Sequence, residues 1–136
     1  MPINVVDMVK KAHDEPGRHI LLNTQRMHAW LHVYKNPGDH DEMHCHNADQ
    51  TFFCIEGECT MSFPDKPAAV LKPGMVALIT GGSFYQLENS GDGPMVLMGN
   101  RSGSSEGTVK IDYETRLPIG EGAEHVRGGR VAAASH

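Results

Sequence analysis

Cysteine is scarce in this chain. Cys45, Cys54 and Cys59 are the only three in 136 residues, an odd set with no Cys-x-x-Cys pair. Such a set reads as free thiols rather than a disulfide framework, although Cys54 and Cys59 fall on strands that can pair and so could bridge. Long apolar runs are missing as well. No segment approaches the roughly 20 residues needed to cross a bilayer as a helix. The first residues lack the basic-then-apolar layout of a signal peptide, so the cytoplasm is the simplest expected address. Basic clustering is absent too: Lys10-Lys11 is the only adjacent pair, and the formal net charge is −5. A phosphate backbone calls for a clustered basic face, so nucleic acid is not an expected partner. What the chain does have in quantity is histidine, nine residues in all. Four of them (His13, His19, His125 and His136) lie near the ends and read as solvated.

The length fits one domain with one sizeable core. Val5, Val6, Met8, Val9 and Ala12 recur at helical spacing within residues 4–12, with Asn4 as N-cap and Pro16-Gly17 as the stop. Short strand-like runs then follow one another, each bounded by Gly, Pro or Asn. They cover residues 18–23, 27–34, 43–46, 50–55, 59–63, 69–71, 75–79, 84–88 and 95–100, with one more at 108–113. This punctuation indicates an all-β sandwich or barrel rather than βαβ units. The expected division is a helical segment at 1–17, a barrel at 18–113 and a polar, mobile tail at 114–136.

His44 and His46 are the centre of the reading. Two histidines two residues apart point to one face of a strand. Gln50 follows a turn at Asn47-Ala48-Asp49, so a hairpin returns a third donor towards the pair. Convergent neutral donors of this kind can present an open metal site. The wider spacing is Gly38, five residues, His44-Cys45-His46, three residues, Gln50, six residues, Gly57. Further on, Gly74 is followed by five residues, Thr80-Gly81-Gly82, two residues, Tyr85, three residues and Asn89. These two patterns resemble the two motifs of the cupin family, over residues 38–89. The first departs from the family by Gln50 in place of Glu, the second by Thr80 in place of Pro and Tyr85 in place of His.

The resemblance implies a small cupin jelly-roll β-barrel with a short N-terminal helix. It also implies a divalent transition metal (Fe, Zn, Mn or Ni) on His44, His46, Gln50 and Tyr85. Gln50 would ligate through its amide oxygen and bring no charge; otherwise it is a buried amide hydrogen-bonded to the wall. Tyr85 has three readings beyond a core phenol with its hydroxyl satisfied. It ligates while neutral, it ligates as a phenolate after losing its proton to the metal, or it is catalytic as a general acid beside it. A neutral shell would favour an anionic or chelating small-molecule substrate. Phe52 and Cys54 share parity with Gln50 and are expected to line the pocket, with Met98 and Asn100 doing likewise from the last strand. If Trp30 points inward, His28 and His32 join it; if Leu31 and Val33 do, both histidines are at the surface, and the second is the expectation. His40 is expected in solvent or over the barrel mouth.

The expected function is a metal-dependent enzyme on a small molecule, dioxygenase-like or lyase- or isomerase-like. The alternatives are a non-catalytic metal- or ligand-binding cupin and a cupin that has lost its metal. A homodimer is expected, because the sheet edges of a small barrel need cover.

Overall fold

A computed structural model describes residues 3–104 and 108–119, together with the backbone of 123–126 and 129–132. The chain opens with a helix, α1 (Met8–Asp14), and continues as strands β1 (Arg18–Asn23), β2 (Met27–Tyr34), β3 (His44–His46), β4 (Gln50–Glu56), β5 (Cys59–Ser62), β6 (Ala69–Leu71) and β7 (Val76–Ile79). After these come β8 (Gln86–Asn89), β9 (Met95–Ser102), β10 (Lys110–Asp112), β11 (Pro118–Ile119), β12 (Ala123–Val126) and β13 (Gly129–Ala132). The strand series matches the sequence reading closely. The helix starts later than expected, because Asp7 and not Asn4 is its cap: the Asp7 carboxylate accepts from the Lys10 N–H, whereas Asn4 turns back on Val5. Among the described residues no helix is long and apolar enough to cross a membrane.

One wall is an antiparallel sheet in the order β1-β2-β9-β4-β7. The facing wall is built from β6-β5-β8 and β11-β10-β3. The two halves of that facing wall are joined where the His44 and Tyr85 backbones exchange hydrogen bonds of 3.0 and 2.9 Å. Strand β11 falls within residues expected to be tail, and β12 and β13 form an antiparallel hairpin beyond it. Residues 120–122, 127–128 and 133–136 of the expected mobile tail lie outside the described residues.

Asn89 ties the walls together. Its amide donates to the Tyr34 and Gly93 carbonyls, each at 2.9 Å, and its side-chain oxygen accepts from Gly91 at 3.1 Å. Its backbone carbonyl accepts from Gly38 at 2.7 Å. The first and last residues of the two-motif pattern therefore touch. Gly57 turns the chain between β4 and β5 with φ +78°, and a Cβ there would lie 2.2 Å from the Pro94 carbonyl oxygen. That position accepts only glycine.

Two apolar clusters result. Inside the barrel lie Trp30, Tyr34, Phe52, Cys54, Cys59, Met61, Leu71, Ile79, Tyr85, Leu87, Met95 and Leu97. Outside the five-stranded sheet, Ala12 of α1 packs on Leu31, Val33 and Val96, with Met8, Leu21 and Ile55 around them. Strand β2 is thus buried on both faces beyond Met27. The inward set is the one holding Trp30, with His28 and His32, which corrects the expectation that Leu31 and Val33 face the core and the histidines face water. Helix α1 removes the wet face that the expectation assumed. The indole also needs a gap, and Gly99, directly across from Trp30 on β9, supplies it.

A Cβ at Gly99 would sit 2.4 Å from Trp30 Cζ2 and 2.5 Å from Cε2. Gly99→Ala is expected to destabilise the fold by about 1–3 kcal/mol, as overpacked cores do. Urea denaturation measures this, and an unchanged midpoint would mean that the indole is not held in place.

Candidate functional site

Strand β3 carries His44 and His46 into the interior, at 3% and 4% exposure. The His44 Nδ1 lies 2.6 Å from the Glu42 carbonyl, which can only accept, so Nδ1 holds the proton and Nε2 keeps its lone pair. Burial first, and then the nearby Lys110 cation, hold the His44 pKa well below its ordinary value. Lys110 is itself buried and pairs with Glu42 at 3.1 Å. Asp41 lies 3.8 Å from His44 Nδ1 and accepts from the Leu87 N–H at 2.7 Å. Tyr85 reaches the same space from beside His44 on the same wall, its ring centroid 4.6 Å from that of His44. Burial raises the phenol above its usual pKa, so it keeps its proton.

Gln50 opens β4 and points inward. Its amide nitrogen donates to the Tyr85 hydroxyl at 2.9 Å, and its amide oxygen accepts from the Arg101 Nε at 3.0 Å. A guanidinium only donates, so this contact fixes the amide orientation. The Arg101 Nη2 also lies 3.4 Å from the His46 Nε2. Arg101 is 2% exposed, and its guanidinium stacks over Trp30 at 4.5 Å from the ring centroid. His28 stacks on Trp30 at 5.2 Å, and Phe52 meets it edge-on at 5.6 Å.

All four residues expected as ligands are therefore brought together, and so are Phe52 and Cys54 below them. Met98 and Asn100 are not. They stand on the outer face of β9, Met98 opposite Leu31 and Asn100 donating to the Thr51 hydroxyl at 3.3 Å. The inward set on β9 is Met95, Leu97, Gly99 and Arg101, one residue out of phase with the expectation. Arg101 escaped the sequence reading because the strand was expected to end at Asn100. Its parity with Gly99 was the signal. His40 is partly buried beside the site, in contact with Gln86 Nε2 at 3.1 Å. His13 pairs with Glu56 at 2.9 Å, while the His125 and His136 side chains lie outside the described residues. The three thiols are buried and free, and burial pushes Cys59 up to about 12.

A divalent metal does not fit this arrangement. Arg101 donates to one lone pair of Gln50 Oε1 and lies against His46 Nε2, where a metal would have to displace it, while His44 Nε2 stays open. A double charge about 4 Å from a like single charge is repelled by about 8 kcal/mol at an effective dielectric of about 20. Among the described residues no group of three or more His, Cys, Asp or Glu side chains is placed to hold a metal ion.

The fold and the paired motifs define a double-stranded β-helix protein of the small single-barrel kind. The chain matches the family model described as "Cupin domain" over residues 31–99, half of its length, and belongs to that family. Among solved structures it is similar to an uncharacterised double-stranded β-helix protein from Klebsiella pneumoniae, with TM-score 0.67, 20% identity, and 79% of this chain and 96% of that one covered. It is also similar to TT1209 from Thermus thermophilus, with TM-score 0.66, 23% identity and 74% and 98% coverage. KdgF from Halomonas sp. follows with TM-score 0.58, 18% identity and 65% and 82% coverage. No curated protein matches the sequence. At these identities the likeness establishes the fold alone.

The buried histidines make stability depend on pH. His28 is fully buried, and burial, with the charges of Arg101 and Arg18, lowers its pKa from 6.5 to about 4. Its neutral form belongs to the fold, so its contribution is complete above pH 6.5 and is lost as pH falls towards 4. The loss is on the order of 3 kcal/mol. Denaturation midpoints between pH 8 and 4 should fall in that window, and His28→Phe should flatten the fall. An equally steep fall in the variant would assign it to other groups.

Proposed function

We propose that this cupin binds a small molecule inside its barrel through hydrogen bonding, as a ligand-binding rather than a proton-transferring protein. One observation carries the reading: the Gln50 amide is shared between the Tyr85 hydroxyl and the Arg101 guanidinium within the buried wall. An oriented amide flanked by a phenol and a guanidinium offers a ligand donors and acceptors in fixed directions. A cleft of about 260 Å³ lies on the outer side of the sheet where β4 and β9 meet at Gln50 and Arg101, lined also by Met27, Asp49, Thr51, Asn100 and Ser102. Efficient proton transfer wants groups that titrate near the working pH. His44 and Tyr85 are moved away from neutrality, in opposite directions.

A second reading is a metal-independent lyase or isomerase. It draws on the Tyr85 ring lying 4.6 Å from the His44 ring, which sets a phenol and an imidazole side by side. The dioxygenase version draws on the preserved His44 and His46 pair, but it requires a metal that the present donor arrangement does not accommodate.

Trp30 is the sole tryptophan and touches Arg101, so its emission reports on the interior. Titration with a panel of small hydroxylated, amidic and carboxylated compounds should find a ligand that perturbs it. Gln50→Leu should weaken that ligand by about tenfold, the worth of one lost buried hydrogen bond with its partner left unmet. Affinity should stay flat between about pH 6.5 and 9. Full affinity in the variant would place the ligand elsewhere, and a bell-shaped profile with turnover would favour the enzyme.

The homodimer remains a proposal of the same reading. Phe53, Val76 and Leu78 form an apolar patch on the outer face of β4 and β7, with Leu78 77% exposed. Patches of this kind often mark contact surfaces. Sedimentation should give a dimer for the chain and a monomer for Leu78→Lys. A monomeric parent chain would refute the dimer.

A further inference from the structure

Among the described residues four strands end the two walls of the barrel: β1 and β7 on the five-stranded sheet, β6 and β11 on the facing wall. An end strand turns a row of backbone N–H and C=O groups outwards, and stable chains blunt such rows with charge, proline, bulges or brevity. Strand β1 carries Arg18 and His19, with a bulge between Ile20 and Leu22. Strand β6 has three residues, with Pro67 just before it, and β11 has two and begins with Pro118. Strand β7 is different. It reads Val-Ala-Leu-Ile after Met75, without charge, proline or bulge, and its Val76 and Leu78 are 49% and 77% exposed. We propose that this open edge pairs with β7 of a second copy, antiparallel about a two-fold axis at Ala77, so that two five-stranded sheets become one. This names the mode of the homodimer proposed above and rests on that reading.

Backbone directions favour the axis at Ala77. The Cys54 N–H donates to the Met75 carbonyl at 2.9 Å, so residues of β4 with the parity of Cys54 turn their N–H and C=O groups towards β7. Phe52 is one of them and lies opposite Ala77. Ala77 therefore bonds to β4, while Val76 and Leu78 direct their backbone groups to the open side. With Ala77 opposite the partner's Ala77, Val76 meets the partner's Leu78 and Leu78 meets the partner's Val76. About four ladder bonds close in this way. The apolar patches of Phe53, Val76 and Leu78 on the outer face then join along the seam.

The strand ends are complementary in charge. Lys72 stands exposed ahead of β7, and the register carries it to the partner's Gly82. Two exposed carboxylates flank that turn. Asp49 accepts from the Gly81 N–H at 2.9 Å, and Asp65 lines a groove of about 430 Å³ that runs past Leu78, Ile79, Thr80 and Gly82. Lys66, in the same groove, is turned onto the Phe63 ring at 4.5 Å. The two-fold axis makes the contact of Lys72 with this acidic end twice.

Hydrogen exchange on the full chain, read by mass spectrometry above and below the dimer dissociation constant, tests the pairing. The Val76 and Leu78 amides should exchange about tenfold or more slowly in the dimer, whereas packing of the outer faces alone would leave them at the monomer's rate. Ala77→Cys should give a disulfide between copies under mild oxidation. Residues opposed in a non-hydrogen-bonded antiparallel pair stand about 4.5 Å apart at Cα, within the span of a disulfide. The wild-type chain, whose thiols are buried, is the blank. Val76→Pro removes an N–H that faces away from β4, so the monomer should still fold. Its dimer dissociation constant should rise by about tenfold or more, because symmetry deletes that N–H twice.

A dimer whose Val76 and Leu78 amides keep the monomer's rate overturns edge pairing and leaves the homodimer standing on its outer face. Protected amides without the Ala77→Cys disulfide overturn the axis at Ala77. A chain that is monomeric at every concentration overturns the homodimer and its mode together. If Val76→Pro does not fold, amide exchange and the disulfide still decide the matter.

Discussion

The indole of Trp30 lying flat against Gly99 is the contact from which the interior follows. It decides which face of β2 turns inward, and with that face come His28, His32 and Tyr34. It also settles the phase of β9, because the glycine that makes room for the ring shares its side of the strand with Leu97 and Arg101. Cation and ring then stack, and the guanidinium is delivered to the histidine pair. A barrel this narrow has no space for an indole and an ordinary side chain at the same level, so a single methyl group separates this interior from another one.

A guanidinium and a metal ion make opposite demands on their neighbours. The ion takes lone pairs from several directions and pulls protons off its ligands. The guanidinium also takes lone pairs, but only along its own N–H directions and in its own plane, and it leaves neighbouring protons where they are. Burial keeps the His44 imidazole and the Tyr85 phenol near Arg101 neutral.

Much of this was legible in the sequence, and the part that was not has a physical cause. Turn residues punctuated almost every strand, because tight turns need Gly, Pro or Asn for local reasons that need no knowledge of the fold. The approach of His44, His46 and Gln50 was legible through spacing along strands, and that of Tyr85 through the resemblance to the second cupin motif. The phases of β2 and β9 were not. Both are buried on both sides, Leu31 and Val96 under α1 and Trp30 and Leu97 within the barrel, so alternation of polar and apolar residues carries no signal there. Arg101 was hidden for the same reason: a charged residue at the end of a strand reads as the place where the strand meets water.

Strand β10 has a consequence for where this domain ends. It runs along β3, setting Lys110 beside His46 and Asp112 beside His44, and Lys110 closes a buried ion pair with Glu42. The span recognised as cupin stops at residue 99, ahead of both this strand and Arg101. A chain trimmed to the recognised span would strip the Glu42 carboxylate of its Lys110 cation and turn the histidine strand into a bare edge. The segment by which the family is identified thus leaves out the strand that pairs with β3 and the Lys110 and Arg101 cations of this barrel.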